Sequence, residues 1–151
     1  MINILDREKT FSILKNLKRE TTPLFGKMSP QHMIEHLMYA VSFSNGRAPQ
    51  PLMVNERIAK MIRHHIINTD KEISVGFKAP MLTDDLLPLR NPDLETSIIY
   101  LEKELDLFDL YFTKNPSSRP ISPVMGELDH KEWIFFHNKH FTHHFKQFGL
   151  L

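Results

Sequence analysis

The sequence predicts an all-α fold, a four-helix bundle with one or two additional short helices. Five segments repeat apolar residues at helical spacing, whereas no segment alternates apolar and polar residues for long enough to form a strand. Proline clusters and an Asn-Gly pair separate these segments, as expected for connections between helices. Four long helices suit a bundle that buries their apolar faces together. The 151 residues, 41% of them hydrophobic, are enough for a single domain that spans residues 1–151.

The first two helices are predicted from their apolar faces and from one clear start signal. The first covers roughly residues 6–18. Ser29 is a typical N-cap and Pro30 suits the first helical position, so the second helix begins there and continues to Asn45-Gly46. The predicted core positions are Phe11, Leu14 and Leu17 in the first helix, and Met33, Leu37, Ala40 and Ser44 in the second.

A third and a fourth helix flank a long connection. The third is predicted over about residues 54–67. The connection, residues 68–90, is too long for a tight turn and contains Pro80 and Pro88, so we expect a lid or a crossover. Asn91-Pro92 then repeats the cap-plus-proline start at the head of the longest helix. The third helix carries Ile58, Met61, Ile62 and His65, and the predicted apolar stripe of the fourth is formed by Leu94, Ile98, Leu101, Leu105, Phe108 and Phe112.

The last helix follows a segment that cannot be helical. Three prolines between residues 115 and 123 remove hydrogen-bond donors and restrict their neighbours. Asp129 and Glu132, three residues apart, then form an acidic variant of the capping box. The helix that begins there is predicted to end at Gly149.

The composition excludes several classes of function. Nineteen basic and eighteen acidic residues leave a net charge of +1 and are interspersed, so the chain shows no charge pattern for binding nucleic acid or a membrane surface. No cysteine is present, so a bound metal must be held by nitrogen and oxygen. Charges at residues 6–9 interrupt any signal peptide, and no apolar run reaches spanning length. We therefore expect a cytoplasmic protein that acts on a small molecule.

Histidines are concentrated in the last helix, where five of the nine fall between residues 130 and 144. His140 and His144 lie about 40° apart on the helical wheel and one turn from each other, so both rings can reach one ion. The same face carries Trp133, His137 and Phe148, whereas Lys131, Lys139, Thr142 and Lys146 point elsewhere. The pair is therefore predicted to face the core.

A third ligand is predicted from the second helix. His36 lies on or beside the apolar stripe of that helix, so it should project toward the centre of the bundle. Three histidines would hold a divalent ion, zinc or nickel by ligand type, and would leave a position for water, whose pKa the ion lowers toward about 7. An alternative stays open, that of buried histidines hydrogen-bonded to neighbours, since His-x-x-x-His pairs also occur by chance.

The other histidines have weaker assignments. His32 and His36 match the H-x-x-E-H pattern of inverted zinc proteases, but His32 falls in the first helical turn, where we expect it to be solvated. His64 and His65 are predicted to be surface or partner-facing, and His130 is predicted to be exposed. His137 is predicted to line the pocket, as a hydrogen-bond partner of a ligand, a substrate contact or an extra ligand. Whether His32 or His143 also contacts the site stays open.

Two polar side chains are candidates for supporting the site. Gln147 lies about 20° from His140 on the wheel, so it is predicted to orient a ligand or to polarise a substrate. Gln147 and His137 are the candidate catalytic residues. Glu35 points about 100° away from His36, and we expect it to be an exposed salt-bridge partner. The spacing of polar residues shows no serine–histidine–aspartate or paired-carboxylate arrangement, so no covalent nucleophile is predicted.

Three stretches of the sequence are similar to motifs of one protein family. FGKMSPQHMIEHLMYA, which starts at Phe25, is similar to a second-helix signature. GELDHKEW, which starts at Gly126, is similar to a motif before the last helix, and HFTHHFKQ, which starts at His140, has the spacing of a last-helix motif. Together they resemble the DinB/YfiT-like superfamily of metal-dependent enzymes, most closely an uncharacterised bacterial branch. Many members have Arg-Gly where this chain has Phe145-Lys146.

The resemblance implies a site and an architecture. It implies His36, His140 and His144 as the metal ligands, an up-up-down-down bundle with the site at one end, and a homodimer. Members of the superfamily are similar to thiol S-transferases and isomerases that use bacillithiol, mycothiol or glutathione, or to hydrolases. In each case an open position on the ion would bind a thiol or a water and lower its pKa.

A non-catalytic protein is the competing interpretation. It would be a helical bundle that acts as a dimer or binds a small ligand, with a structural metal or none. The lack of an obvious general base favours it, as do aromatic residues that could serve an interface. The residues in question are Phe135, Phe136, Phe141 and Phe145.

Overall fold

The computed structural model describes residues 1–77 and 85–151. These residues form five helices and one two-stranded sheet: α1 (Arg7–Leu14), α2 (Pro30–Ser44), α3 (Glu56–Ile67), α4 (Leu94–Lys114), β1 (Ile121–Ser122), β2 (Gly126–Glu127) and α5 (His130–Gln147). The prediction of a mostly helical chain is confirmed. No helix in this part of the chain has both the length and the apolar character that crossing a membrane requires.

The start and the end of α2 match the prediction. The Ser29 side chain accepts a hydrogen bond from the backbone N–H of His32, a proline occupies the first turn, and Asn45 caps the C-terminus. The next residue, Gly46, adopts a φ of +78°, and a Cβ there would lie 2.7 Å from the Tyr111 ring. Glycine is therefore required by both the backbone conformation and the close contact with α4.

Helices α1 and α3 are shorter than predicted. α1 ends at Leu14 rather than near residue 18, and α3 begins at Glu56 because the Asn55 side chain caps it. The buried face of α3 also differs from the prediction, since Met61 is 65% exposed. The buried residues of α3 are Ala59, Ile62 and Ile66. They follow the spacing of three and four that places side chains on one helical face.

The predicted start of α4 at Asn91 is wrong. The helix begins at Leu94, because the Asp93 side chain accepts the capping hydrogen bond from the Thr96 N–H at 2.7 Å. Aspartate and asparagine cap helices about equally well, so the local sequence contains two competing caps. The predicted apolar stripe is confirmed at its buried members, Leu94, Leu101, Leu105, Phe108 and Phe112.

A two-stranded sheet precedes α5, although no strand is predicted. β1 and β2 pair antiparallel, with Ile121 opposite Glu127. Strands of two residues are too short to show the alternation that reveals a longer strand. The hairpin leads into the capping box at the start of α5, where Asp129 and Glu132 exchange side-chain and backbone hydrogen bonds as predicted.

Helices α2, α4 and α5 contribute the largest buried side chains. α2 packs against both α4 and α5. The fully buried residues include Met33, Ile34 and Leu37 of α2, Leu101, Leu105 and Phe108 of α4, and Trp133, Phe141 and Phe145 of α5. Burial of one such side chain is worth roughly 1.5–3 kcal/mol. Because α2 has a neighbouring helix on two sides, residues outside its main apolar stripe are buried as well.

Helix α5 is also held by contacts outside its apolar face. The backbone N–H of Ile2 donates to Thr142 Oγ1 at 2.7 Å, and that of Ile4 donates to Asn138 Oδ1 at 2.8 Å. Lys139 is 3% exposed. Its Nζ donates to three carbonyl oxygens at the end of α3 and just beyond, those of Ile66, Thr69 and Lys71. Other segments of the chain therefore cover Lys139 and Thr142, which lie off the histidine face.

The long connection is described only at its two ends. Residues 78–84, the middle of the segment for which a lid or a crossover is predicted, lie outside the described residues. Toward its end, the backbone N–H groups of Arg90 and Asn91 donate to Glu35 of α2 at 2.8 and 3.1 Å. Near its start, the Ile73 carbonyl lies 3.0 Å from His143 Nδ1 of α5. Both ends thus contact the helices that carry the predicted metal ligands.

Candidate metal centre

Three histidines from two helices bring their ring nitrogens together. His36 Nε2 on α2 lies 2.9 Å from His140 Nε2 on α5, and His140 Nε2 lies 3.2 Å from His144 Nε2. The candidate ligand atoms of the three all lie within 4.8 Å of one another. A spacing of four residues puts His140 and His144 on adjacent turns of one helical face. The structure places the predicted trio in one cluster, and metal binding by that cluster stays a prediction.

Two of the three separations between the ring nitrogens are close to those of a tetrahedral ion. Zinc–nitrogen bonds of about 2.0–2.1 Å place two imidazole nitrogens of a tetrahedral site about 3.3 Å apart. The contacts of His140 with His36 at 2.9 Å and with His144 at 3.2 Å are close to that separation. The candidate ligand atoms of the third pair, His36 and His144, lie within 4.8 Å of each other. The donor set, three imidazoles and no thiolate, suits a catalytic ion with an open position better than a closed structural site.

The hydrogen-bond network assigns one proton of the cluster. His144 Nδ1 lies 2.7 Å from Gln147 Oε1, while Gln147 Nε2 donates to the Phe25 carbonyl at 2.8 Å. This pairing places the His144 proton on Nδ1 and leaves a lone pair on Nε2. A single proton on His140 Nε2 can form only one well-directed hydrogen bond, either to His36 Nε2 or to His144 Nε2. A divalent cation would satisfy all three lone pairs together.

Burial keeps the three imidazoles neutral. Burial, with a smaller contribution from His143, lowers the pKa of His36 to about 4. Burial and then the neighbouring imidazoles hold the pKa of His140 well below its usual range. Burial and His36 do the same for the pKa of His144 and outweigh the opposing effect of its hydrogen bond to Gln147. Neutral imidazole is the form that binds a metal, so protons compete weakly for this cluster near neutral pH.

The cluster is enclosed on the α5 side and more open at α2. Phe136 stacks on His140, with ring centres 5.2 Å apart and planes 22° apart. His140 and His144 are buried, whereas His36 is half-buried. His140 Nδ1 is buried and has no hydrogen-bond partner among the described residues. Metal-bound histidines usually donate from this second nitrogen, so His144 has the common arrangement and His140 departs from it.

His137 lies in the core and not in the histidine cluster. It is 0% exposed, and its ring stacks on Trp133 with centres 5.3 Å apart. Its Nε2 lies 2.9 Å from Ser44 Oγ, and the Ser44 hydroxyl donates to the Val41 carbonyl, so His137 Nε2–H is the donor to Ser44. Burial lowers the pKa of His137 to about 3. The predicted pocket-lining and catalytic roles stay predictions, and complete burial does not favour them.

Gln147 contacts the histidine cluster through His144. The helical wheel places it near His140, whereas its side chain is hydrogen-bonded to His144. Helical side chains lean toward the N-terminus, so Gln147 reaches the residue one turn before it. It is 4% exposed and therefore does not face solvent. Its contact supports a role in orienting a ligand, and a direct role in catalysis stays a prediction.

Glu35 is not the exposed salt-bridge partner that the sequence predicts. It is 8% exposed. Its carboxylate accepts hydrogen bonds from the N–H groups of Arg90 and Asn91 and from the side chains of Gln31 and Ser97. Burial raises the pKa of this carboxyl, but the hydrogen bonds outweigh burial and the net shift is downward. The second neighbour of α2, helix α4, buries a residue that one apolar stripe would leave exposed.

The H-x-x-E-H pattern is not assembled into a metal site by the described residues. His32 Nδ1 lies 2.7 Å from Ser29 Oγ at the start of α2, and His32 is half-buried there rather than fully solvated. Glu35 is occupied by backbone N–H groups, as described above. Of the predicted surface pair on α3, His64 is exposed and His65 is half-buried.

Two further histidines of α5 pack against aromatic rings. His143 packs edge-on against His144 with ring centres 5.0 Å apart, and its Nδ1 faces the Ile73 carbonyl. It is therefore a neighbour of the cluster. His130 is half-buried and stacks on Phe112 with ring centres 4.4 Å apart. The prediction that His130 is exposed is wrong, because α4 supplies an aromatic surface for the first turn of α5.

Comparisons with known proteins give no match. No family model matches the chain, and neither a curated protein nor a solved structure matches it. The function is therefore inferred from the geometry of the site.

Proposed function

We propose that this protein is a metal-dependent enzyme in which His36, His140 and His144 hold one divalent ion, zinc or nickel, with an open position. The proposal is carried by the convergence of three neutral Nε2 atoms. In His144, the hydrogen bond from Nδ1–H to Gln147 leaves Nε2 unprotonated and free to bind the ion. Zinc and nickel both accept imidazole ligands. Three protein ligands and an open position are typical of catalytic zinc.

The residues around the centre suit activation of a water or a thiol. A zinc or nickel ion bound here would lower the pKa of such a ligand, so that the anion is available near neutral pH. The burial of His140 and His144 excludes bulk water on the α5 side, and the half-buried His36 marks the side from which a substrate approaches. The reaction is hydrolysis of a small molecule or thiol S-transfer to it, with a low-molecular-weight thiol as co-substrate in the second case.

Membership of the DinB/YfiT-like superfamily is part of the proposal. It is supported by the cluster formed by the residues of two of its motifs, His36 on α2 and His140, His144 and Gln147 on α5. The packing of α2 against α4 and α5 supports a helical bundle, and four helices in up-up-down-down order are part of the same proposal. A homodimer and a cytoplasmic location follow from the same proposal. Light scattering of the purified protein tests the dimer.

A non-catalytic bundle is the alternative, and one observation favours it. Glu35, the carboxylate next to His36 in sequence, accepts hydrogen bonds from two backbone N–H groups of the long connection. The Glu35 carboxylate therefore anchors the long connection to α2 and is not free to act as a general base. In this alternative the three histidines hold a structural ion or none, and the protein acts as a dimer or binds a small ligand.

Metal analysis of protein purified without an affinity tag tests the ligand set. We expect about one zinc or nickel ion per chain. His36→Ala and His140→Ala should each lose it, while the circular dichroism spectrum keeps its helical signal. His64→Ala removes an exposed histidine from α3 and is the matched control, which should keep the ion. Retention of the ion by both ligand variants would show that the ligand set is wrong.

Activity and stability separate the enzyme from the alternative. The loaded wild-type protein is screened for hydrolysis of small esters and amides and for transfer of glutathione, bacillithiol and mycothiol to electrophilic acceptors. If the protein is the proposed enzyme, the His36→Ala and His140→Ala variants lose turnover and the His64→Ala variant keeps it. Loss of the fold together with the ion would favour a structural metal.

A further inference from the structure

The loop of residues 24–26 is bonded to the last residue of α5, next to the histidine cluster. The backbone N–H of Leu24 donates to the Gln147 carbonyl at 2.7 Å, and the Phe25 carbonyl accepts from Gln147 Nε2 at 2.8 Å. Gln147 is thus bound through both its backbone and its side chain. Its remaining side-chain atom, Oε1, accepts the proton of His144 Nδ1. One amide group therefore links the loop to a candidate metal ligand.

Gly26 is the residue of this loop on which the link depends. Its φ is +79°, and a Cβ there would lie 2.7 Å from Gln147 Nε2. That distance is far shorter than real Cβ contacts, so one of the two groups would have to move. The Gln147 amide is the end of a flexible side chain, whereas the loop is backbone. An added methyl group would therefore be relieved by turning the amide away from His144.

We infer that Gly26 is a positioning residue of the centre, because its missing side chain lets Gln147 reach His144 and hold the His144 proton on Nδ1. The His144 Nε2 is then unprotonated, and its lone pair points toward His36 and His140. The consequence for metal binding rests on the proposed function. The consequence for the His144 tautomer does not, since it is a property of the metal-free protein.

Long-range ¹H–¹⁵N NMR spectra of the metal-free protein report the tautomer directly. The His144 signal, identified by its loss in His144→Gln, should show the Nδ1–H form in the wild-type protein. Gly26→Ala should lose this preference and give a mixture of tautomers. An unchanged His144 signal in Gly26→Ala would overturn the inference.

Gly126→Ala is the matched control for backbone strain. Gly126 has a φ of +78°, and a Cβ there meets nothing within 4 Å. The substitution thus introduces a side chain at the same type of backbone position without a contact to Gln147, and it should keep the wild-type His144 tautomer. A change as large as that in Gly26→Ala would overturn the inference, because strain alone would then explain both.

Zinc affinity, measured by competition with a chromophoric chelator, gives a second readout. Loss of a group that orients a metal ligand typically weakens binding by 10- to 100-fold, so Gly26→Ala should weaken zinc binding by about 10-fold. Gly126→Ala should keep the wild-type affinity. Wild-type affinity in Gly26→Ala would contradict the positioning role.

A double-variant cycle tests whether Gly26 acts through Gln147. Gln147→Ala removes the amide and leaves room for a Cβ at residue 26, so adding Gly26→Ala should weaken zinc binding no further. Additive losses would overturn the inference. If Gly26→Ala alone fails to fold, the double variant should fold, since the close contact is then absent. Failure of the double variant as well would also overturn the inference.

The outcomes separate this inference from the proposed function. Suppose the wild-type protein binds neither zinc nor nickel, but Gly26→Ala changes the His144 tautomer. Then the positioning role stands and the metal-dependent function fails. Suppose instead that the wild-type protein binds one ion, but Gly26→Ala changes neither tautomer nor affinity. Then the metal centre stands and the positioning role fails.

Discussion

The carboxylate of Glu35 accepts a hydrogen bond from the backbone N–H of Arg90 at 2.8 Å, which joins the end of the long connection to the helix that carries His36. The N–H of Asn91 donates to the same carboxylate at 3.1 Å. Hydrogen bonds to an ionised group are stronger than those between neutral groups. The residue adjacent to a candidate metal ligand thus has a structural role that mutation can separate from metal binding.

Replacing Glu35 by alanine should lower the free energy of unfolding by about 1–3 kcal/mol, because two backbone N–H groups lose their acceptor. Glu35→Gln keeps an acceptor oxygen but loses the charge, so its loss should be smaller. Urea unfolding measures both variants, with Glu8→Ala on the exposed surface of α1 as the control. An unfolding midpoint equal to that of the control would mean that water replaces the carboxylate without cost.

Lys139→Met should also destabilise the fold, by about 1–3 kcal/mol, because three carbonyl oxygens lose a charged donor while the apolar stem is kept. The hydrogen bonds from Lys139 Nζ to these three carbonyl oxygens join α5 to the end of α3 and the residues just beyond it. Lys131→Met, at an exposed position of the same helix, is the matched control. Thermal unfolding of the two variants should differ by several degrees, and equal midpoints would argue against this contact as a stabilising one.

The stability of the metal-free protein should fall as the pH drops below 6.5, because His137 stays neutral in the fold. Burial lowers its pKa from 6.5 to about 3. Between those values the unfolded chain binds a proton that the folded chain does not. Unfolding is then favoured by up to about 1.4 kcal/mol per pH unit. Above pH 6.5 this contribution is fully retained.

Urea unfolding at pH 7.5 and 5.5, with a chelator present, measures this dependence. His36, His140 and His144 act in the same direction, so the test compares variants rather than absolute slopes. His137→Gln does not titrate and should lose less stability between the two pH values than the wild-type protein. His64→Gln, at the surface, should keep the wild-type loss. An equal loss in His137→Gln and the wild-type protein would contradict the assignment.

Local physics explains which parts of the fold and site are visible in the sequence. Ser29 and Asp129 cap α2 and α5 through hydrogen bonds that span three residues, so both starts are predictable. Helical periodicity alone predicts that His140 and His144 lie side by side, and the apolar stripe of α2 alone predicts that His36 faces the core. The competing caps before α4 show the limit of such local signals, because only the fold selects between them.

Long-range contacts explain the predictions that were wrong or absent. Glu35 bonds to a backbone group 55 positions away, and Lys139 to one 73 positions away. No local pattern shows which backbone groups arrive there, and a helical wheel with one buried face leaves both residues outside the core. The wheel places Gln147 near His140 but does not show that it bonds to His144, since the wheel ignores the lean of side chains toward the N-terminus.

Anomalous scattering at the zinc or nickel absorption edge, from crystals of protein purified without a tag, is the most direct test of the metal centre. We predict one peak per chain, about 2.0–2.1 Å from the Nε2 atoms of His36, His140 and His144. No peak at that position in crystals soaked with the ion, or a peak held by other residues, would contradict the proposed centre.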